Sequence, residues 1–293
     1  MVGQQRIAHG GPKPTLKRNQ TTVKTTSIIT GGAGGMGLAV ATLLGKEHHV
    51  VLGDIDPHKL NTACNGLLEQ GIQCDGHVCN ITQKESVDSL FKAASDIGPI
   101  QSVVHCAGIS PQMSEPARIM RINALGTINI TEAALAHAHQ SFALINVASM
   151  AAYMIPPVIV PRRSYRYAFS DTERFLKQAM LPCKFIPKGP YRNGLAYSIS
   201  KHFVIWYSKK NAALFGQRGG RIVSVSPGSF DTEMGRIEEK SGSAEMVKRG
   251  ALKRLGRVEE IAELLAFCAG SNAGYLTGTD ILCDGGVIAS KVK

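Results

Sequence analysis

A tyrosine and a lysine stand one helical turn apart in the sequence, at Tyr197 and Lys201. Residues four positions apart lie on the same face of a helix, so the lysine ammonium can approach the phenol. An isolated tyrosine has a pKa of about 10 and is a poor base at neutral pH, but a nearby cation favours its phenolate. The pair therefore predicts a proton-transfer device that accepts a proton from an alcohol or donates one to a carbonyl.

A second chemical motif lies upstream, in the glycine-rich turn TGGAGGMG at residues 30–37. The turn follows a β-branched run and opens a helical segment, so its backbone N–H groups can approach a pyrophosphate at the positive end of that helix. Asp54 ends the second strand about 20 residues further on, where a carboxylate accepts hydrogen bonds from an adenosine ribose and repels a 2′-phosphate. These residues predict an NAD(H) site, preferred over NADP(H), although Asp54 could instead begin a turn with Asp56 and Pro57.

Strands and helices alternate along the rest of the chain. Short apolar or β-branched runs predict strands at 25–30, 49–53, 72–79, 100–106, 142–147, 221–225 and 281–283. Helical patterns occur between them at 36–44, 57–70, 86–94, 117–138, around Tyr197, and at 258–268. The alternation predicts the α/β fold class, as a single Rossmann-type, doubly wound parallel sheet with helices on both faces.

The net charge of +11 is concentrated in two segments. Residues 1–24 carry five basic residues and no acidic one, and residues 153–196 carry eight basic residues against Asp171 and Glu173. These segments account for the whole excess, so the body of the domain has no bias toward a polyanion. We expect a basic flexible tail at 1–24, one NAD-binding domain at 25–293 and no nucleic-acid partner, while the basic, aromatic segment leaves nucleic-acid binding as an alternative.

The cysteine and histidine patterns bear on location and metal binding. Seven cysteines without a Cys-x-x-Cys pair favour reduced, buried thiols and a cytoplasmic location over disulfides or a zinc site. His137 and His139 are two positions apart on a predicted helix, so they diverge and cannot easily chelate one metal. No run of about 18 apolar residues could cross a membrane. We expect neither a metal nor a membrane partner.

The order of the motifs resembles that of the short-chain dehydrogenase/reductase family, from about residue 25 to the C-terminus. The series comprises the glycine turn, a variant of Asn-Asn-Ala-Gly at 105–108, Asn123, Ser149, the Tyr197 and Lys201 pair, and Pro227-Gly228. The resemblance implies an NAD(H)-dependent oxidoreductase that interconverts a secondary alcohol and a ketone, with Tyr197 as general acid/base. It also implies that Ser149 hydrogen-bonds the substrate oxygen and that Asn123 fixes a water between Lys201 and solvent.

Cofactor contacts follow from the same resemblance. Thr232 matches the residue that meets the nicotinamide carboxamide, and Asn80 stands where an aspartate is usual beside the adenine. His105 and Cys106 replace two amides, which puts a local structural hydrogen bond in doubt. The predicted catalytic residues are Asn123, Ser149, Tyr197 and Lys201, and the predicted cofactor-binding residues are Gly31, Gly35, Met36, Gly37, Asp54, Ile55, Asn80, Ile81, Ala107, Gly108, Tyr197, Lys201, Pro227, Gly228, Phe230 and Thr232.

The interval between Ser149 and Tyr197 is longer than the family's usual pattern, which predicts an insert at about 153–190 beside the active site. Within it, residues 170–173 have the pattern of a capping box, and an apolar stripe follows at Phe175, Leu176, Ala179 and Met180. The stripe could pack on its own subunit, contact a second subunit or form a wall of the substrate pocket. Some relatives of the bacterial 3α-hydroxysteroid dehydrogenase type also enlarge this region, and this resemblance favours a hydrophobic or steroid-like substrate.

Three further expectations complete the functional hypothesis. Residues 230–250 have the Gly, Ser, Lys and Glu content of a lid that orders over substrate. The resemblance implies a homodimer or homotetramer. The alternative function is a catalytically silent NAD(H)-binding regulatory protein, and the complete set of four predicted catalytic residues argues against it.

Overall fold

The computed structural model describes residues 25–238 and 244–291 and confirms the predicted fold class. In this part of the chain, seven parallel strands form one sheet in the order β3-β2-β1-β4-β5-β6-β7. The strands are β1 (Thr26–Thr30), β2 (His49–Asp54), β3 (Cys74–Val78), β4 (Ile100–His105), β5 (Ala143–Val147), β6 (Arg221–Pro227) and β7 (Asp280–Cys283). Because every strand pair is parallel, all the carboxyl ends lie at one edge of the sheet.

The strand register creates a crevice at this edge. Thr30, the last residue of β1, pairs with Gly53 of β2 on one side and with His105 of β4 on the other. From β1 the chain moves outward to β2 and β3 and then returns to β4, so the strand order reverses between β1 and β4. Ligands of doubly wound sheets bind at such a reversal, outside the carboxyl ends of the strands.

Helices cover both faces of the sheet. The α-helices are α1 (Gly35–Leu44), α2 (Pro57–Glu69), α3 (Lys84–Ile97), α4 (Pro116–Met120), α5 (Gly126–His137), α6 (Arg162–Tyr165), α7 (Thr172–Ala179), α8 (Pro190–Gln217), α9 (Glu233–Glu238), α10 (Ala244–Arg249) and α11 (Val258–Ala269). Adjacent strand residues point to opposite faces. Ile29 and Val104 therefore pack with α1, α2 and α11, whereas Ile28 and Val103 pack with α3, α5 and α8.

The long helix predicted at 117–138 is interrupted in the structure. Between α4 and α5 the backbone makes a π-helical turn at Arg121–Leu125, which contains Asn123. A π turn adds a residue to the helix and often occurs at functional sites. The apolar pattern predicted the ends of this helix to within a residue but gave no sign of the interruption.

Residues between β5 and α8 form an outer layer over α4, the π turn and α8. The layer contains α6, α7 and three 3₁₀ turns at Met150–Tyr153, Arg166–Phe169 and Leu181–Phe185. The Phe175 ring of α7 is completely buried, with its centroid 4.3 Å from that of Phe203 on α8 and 6.1 Å from that of Tyr165. The apolar stripe of α7 therefore packs within its own subunit.

The start of α7 differs from the predicted capping box at residues 170–173. The N-cap is Asp171, whose carboxylate accepts a hydrogen bond from the Arg174 N–H at 2.9 Å. Aspartate is among the preferred N-cap residues, and its use begins the helix one residue later than a Ser170 cap would. Glu173 instead forms a bidentate ion pair with Arg121 of the π turn, with both N–O distances at 2.8 Å. The capping-box prediction is wrong, and Glu173 joins the outer layer to the π turn.

Two predicted segments lie partly or wholly outside the described residues. The predicted tail at 1–24 is one, and residues 239–243, the centre of the predicted lid, are the other. On either side of that centre the chain forms the short helices α9 and α10. Within residues 25–238 and 244–291, no helix is both long and apolar enough to span a bilayer.

Candidate functional site

The glycine turn between β1 and α1 packs too closely for side chains at Gly31, Gly32 and Gly37. A Cβ added to Gly37 would lie 2.1 Å from the Gly31 carbonyl oxygen, and one added to Gly31 would lie 2.8 Å from the Ala107 nitrogen. Gly31 and Gly35 also have φ angles of 65° and 50°, which favour glycine. The first turn of α1 has neither a side-chain cap nor an acidic residue, so its N–H groups suit an anionic ligand. Met36, another of the predicted cofactor-binding residues, lies in this first turn of α1 and is half-buried.

Asp54 lies beside this turn, as the sequence predicts. Its carboxylate accepts hydrogen bonds from the Ala33 N–H and the Asp56 N–H, each at 3.2 Å. Asp56 separately caps α2 through the N–H groups of residues 58 and 59. Asp54 thus takes part in the local turn and also presents a negative charge next to the glycine turn, while Ile55, 65% exposed, lies just beyond it.

His105 forms the wall of the crevice at the end of β4. Its Nδ1 lies 2.7 Å from the Thr30 hydroxyl, and that hydroxyl oxygen also accepts the Ala107 N–H at 3.4 Å. Burial, and secondarily the positive charge of Lys201, lower the pKa of His105 to about 3. The ring is therefore neutral at physiological pH. His105 and Thr30 therefore form a hydrogen bond at the position where the family has an amide side chain, which is the bond that the sequence had left in doubt.

The residues that follow β3 form another border of the crevice. Asn80 uses its side-chain oxygen to accept hydrogen bonds from the Thr82 N–H at 3.1 Å and the Thr82 hydroxyl at 2.8 Å. The Ile81 carbonyl accepts a bond from the Asn129 amide at 2.8 Å. The predicted adenine-side residues are therefore ordered by neighbours within the chain.

Thr232 brings the segment after β6 next to the glycine turn. Its side chain lies 3.8 Å from the place of a Cβ on Gly35, and its hydroxyl accepts the Gly235 N–H at 3.0 Å at the start of α9. Between β6 and Thr232, the Gly228 N–H donates to the Cys283 carbonyl at 2.8 Å, and Phe230 is 5% exposed. Pro227, the last residue of β6, and Gly228 therefore connect the sheet to the segment that brings Thr232 beside the glycine turn.

The Lys201 ammonium reaches the carboxyl edge of the sheet from α8. Its Nζ donates a hydrogen bond to the Val147 carbonyl at 2.9 Å and lies 5.9 Å from the centre of the Tyr197 ring. A Cβ on Gly108 would lie 3.4 Å from that Nζ and 3.1 Å from Asn123 Oδ1. Glycine at 108 therefore leaves room for both side chains, and the structure brings Tyr197, Lys201 and Asn123 to one place.

Asn123 links the chain after Gly108 to the helix that carries Tyr197. Its Oδ1 accepts the Ile109 N–H at 2.9 Å, and its Nδ2 donates to the Ile109 carbonyl at 3.0 Å and to the Ser200 hydroxyl at 3.2 Å. Ser200 in turn donates to the Tyr197 carbonyl at 2.7 Å. Sequence reasoning missed Ser200, although its position three residues after Tyr197 places it on the same face of the helix.

Two other side chains define the edges of the site. Ser149, two residues beyond β5, accepts the Ala151 N–H at 3.2 Å, which leaves its own O–H as a donor. Asn193, which sequence reasoning also missed, donates to the carbonyls of Pro111 at 3.2 Å and Ser114 at 3.1 Å. Its position four residues before Tyr197 places it on the same face of the helix, and this spacing could have identified it. Asn193 fastens the loop after Gly108 to α8.

Comparison with known protein families places most of the chain in two family models. Residues 25–161 match the model described as short chain dehydrogenase. Residues 188–288 match the model described as Enoyl-(Acyl carrier protein) reductase. The matched ranges include β1 to β7 and all the predicted site residues.

Individual relatives agree with these matches. The short-chain dehydrogenase/reductase bsc3 of Alternaria brassicicola is 31% identical over 90% of this chain and 96% of its own length. The 5-keto-D-gluconate 5-reductase of Escherichia coli is 24% identical over 90% of this chain and 95% of its own length. A solved short chain dehydrogenase from Burkholderia cenocepacia, in complex with NADP, superposes with a TM-score of 0.71 at 20% identity, over 89% of this chain and 96% of that one.

The close contact at Gly37 gives a test of the glycine turn. We expect Gly37→Ala to weaken NADH binding by about tenfold or more, because the added methyl group must displace the Gly31 backbone. Gly66→Ala is the matched control, since Gly66 lies in α2, outside the turn, and a Cβ there would meet nothing within 4 Å. Titration of each variant with NADH, followed by fluorescence, measures the affinities. Equal affinities for the two variants would contradict the assignment of the turn.

The buried His105 ring predicts how stability depends on pH. The unfolded chain protonates this residue near its ordinary pKa of 6.5, whereas the folded protein does so only near pH 3. Between these values the unfolded state binds more protons, so stability falls as the pH falls. Between pH 7 and pH 5, we expect the free energy of unfolding to fall by about 2 kcal/mol less in His105→Asn than in the unaltered protein. Urea unfolding at both pH values tests this, with exposed His58→Asn as the control; an unchanged slope in His105→Asn refutes it.

Proposed function

The chain belongs to the short-chain dehydrogenase/reductase family, and from this premise we propose that it is an NAD(H)-dependent oxidoreductase that interconverts a secondary alcohol and a ketone. The observation that carries the proposal is the position of the Lys201 ammonium, buried beside Tyr197 and hydrogen-bonded to the end of β5. The glycine turn and Asp54 lie at the same edge of the sheet, where residues fit the phosphates and ribose of a dinucleotide. A proton-transfer pair next to a dinucleotide site suits reversible oxidation of an alcohol.

When bound, the nicotinamide cofactor supplies or accepts a hydride. During ketone reduction, the Tyr197 phenol donates a proton to the carbonyl oxygen; during alcohol oxidation, its phenolate accepts the hydroxyl proton. The Lys201 ammonium stabilises the phenolate by its charge. The Ser149 O–H donates to the substrate oxygen and stabilises the negative charge that develops there.

Asn123 has the role of ordering a proton path to Lys201. Its side-chain amide donates both hydrogens, one to the Ile109 carbonyl and one to the Ser200 hydroxyl, so it can bind a water only through its oxygen. The Oδ1 accepts the Ile109 N–H, and an amide oxygen has a second lone pair that can accept a hydrogen bond from a water. A water held there would connect Lys201 to solvent.

The preference for NAD(H) is assigned to the Asp54 carboxylate. Its hydrogen bonds to the Ala33 and Asp56 N–H groups direct the charge toward the glycine turn, where it would repel a 2′-phosphate. The solved Burkholderia cenocepacia structure is in complex with NADP, so the fold itself does not exclude NADP. The charge at residue 54 is therefore proposed to decide between them in this chain.

We also propose that the substrate is hydrophobic or steroid-like. The α7 stripe is buried in the outer layer, so a pocket wall from the insert would have to come from residues nearer to Ser149. Tyr153 and Met154 follow Ser149 closely and are 43% and 37% exposed. The lid at 230–250, the homodimer or homotetramer and the cytoplasmic location stay predictions.

Replacement of Tyr197 by Phe tests the catalytic assignment. We expect turnover to fall by about 10² to 10⁴-fold with NADH affinity unchanged, because only the ionisable hydroxyl is lost. The control is Tyr191→Phe, which alters a tyrosine 87% exposed at the start of the same helix. NADH absorbance is followed over a size series of secondary alcohols and ketones. Retained turnover in Tyr197→Phe would refute the mechanism, and tight NADH binding without turnover of any compound by the unaltered protein would favour a silent regulatory protein.

Replacement of Asp54 by Asn tests cofactor preference while keeping a hydrogen-bond acceptor. We expect the ratio of kcat/KM for NAD to that for NADP to fall by about tenfold, because repulsion of the 2′-phosphate is removed. Asp56→Asn removes an equal charge two residues away and retains an amide that can cap α2, so its ratio should stay unchanged. The ratio is measured with the same alcohol for all three proteins, and equal ratios in the two variants would rule out the role of Asp54.

A further inference from the structure

The two faces of α8 have different surroundings. Tyr197 and Lys201 face the carboxyl edge of the sheet, where Lys201 binds Val147. Leu195 is two positions from Tyr197 and therefore points about 200° away from it around the helix. Leu195 packs against the apolar cluster of the outer layer. A surface next to Leu195 is consequently on the opposite side of α8 from the proposed catalytic residues.

An apolar hollow of about 590 Å³ lies on this outward side. Ligand pockets in proteins typically measure about 300 to 1,000 Å³ and are lined mainly by apolar side chains. The hollow is bounded by residues 158–164, by the 3₁₀ turn Leu181–Phe185 and by α8. Its apolar lining includes Val158, Ile159, Val160, Leu181, Phe185 and Leu195.

The walls of the hollow expose more apolar surface than the fold requires. Val158 is 90% exposed, Phe185 is 88% exposed and Leu181 is 46% exposed. By contrast, Tyr165 and Phe175 of the same layer are fully buried. Clustered exposed apolar side chains around a concavity mark a binding surface more often than chance placement does. An apolar ligand would remove this surface from water.

The charge around the hollow indicates the ligand's polar group. Arg163 and Gln178 contribute to the lining. The segment 153–196 has eight basic residues and only two acidic ones, Asp171 and Glu173. Asp171 caps α7 and Glu173 pairs with Arg121, so both acids are engaged away from Arg163. Arg163 is the only charged residue among the described residues that line the hollow, so the lining is complementary to an anion, and a guanidinium matches the geometry of a carboxylate.

We propose that this hollow is a second ligand site, which binds an amphiphile with an apolar body and a carboxylate head group. The apolar body lies against Leu181, Phe185 and Leu195, and the carboxylate pairs with Arg163. Because α8 separates the hollow from Tyr197, the amphiphile binds without entering the catalytic crevice. The site is independent of which alcohol or ketone the enzyme uses.

Binding of sodium decanoate to the full-length protein tests this site, by calorimetric titration below the concentration at which decanoate forms micelles. We expect saturable binding of one molecule per chain. Arg163→Gln should weaken decanoate by about tenfold and leave the uncharged decanamide unaffected, because it removes a charge-assisted hydrogen bond. Arg166→Gln is the matched control, since Arg166 lies against the Tyr167 ring and does not line the hollow.

A second pair of variants tests the apolar wall. Phe185→Ser should weaken both decanoate and decanamide, whereas Tyr191→Ser should weaken neither, because Tyr191 is equally exposed but lies outside the lining. Both side chains are exposed, so neither change should unfold the chain. Undiminished binding in Arg163→Gln and Phe185→Ser would overturn the proposal. Binding to phosphatidylglycerol vesicles without binding of free decanoate, or loss of a dimer in Phe185→Ser by sedimentation, would also overturn it in favour of a membrane or a second copy.

Discussion

The buried ammonium of Lys201 is the interaction on which the rest of the site depends. A charge that is 7% exposed is costly unless it is hydrogen-bonded, and the Val147 carbonyl at the end of β5 supplies a bond of 2.9 Å. Because Lys201 comes from α8, this bond also fixes the helix against the edge of the sheet. The same charge adds to the effect of burial in lowering the pKa of His105. One cation thus helps to position Tyr197 and to keep the wall of the crevice uncharged.

The outer layer makes α8 a helix with two buried faces. Phe203 and Tyr207 on its outward side would form a large exposed apolar patch if residues 150–189 did not cover them. The aromatic packing of Phe175 and the ion pair between Glu173 and Arg121 attach that cover to the helices beneath it. The cover is incomplete near Leu195, and the apolar hollow occupies this gap. The same segment therefore packs against α8 and forms a concave surface on its outward side.

Tyr197 and Lys201 lie on the opposite side of α8 from the apolar hollow. The 3.6-residue period of the helix directs these two residues to one side and Leu195 to the other, so the outer layer contacts the side of α8 that does not carry Tyr197 and Lys201. Within a single fold, function is decided by the residues of a site rather than by the fold. The named relatives illustrate the point, since a 5-keto-D-gluconate 5-reductase shares most of this chain's length with it at 24% identity.

Apolar periodicity and glycine requirements are local properties, so the amino-acid sequence predicts the strands, the helices that cover the sheet, and the neighbourhood of the glycine turn and Asp54. The motifs also identify Lys201 and Asn123, although these two side chains meet beside Gly108 only because strands and helices far apart in the chain are brought together. The folded structure was needed to show that His105 pairs with Thr30, that Ser200 joins Asn123 to Tyr197, that Asp171 rather than Ser170 caps α7, and that a hollow opens beside Leu195. Those features arise from contacts between distant segments, whose geometry is set by packing and burial and leaves no periodic pattern in the sequence.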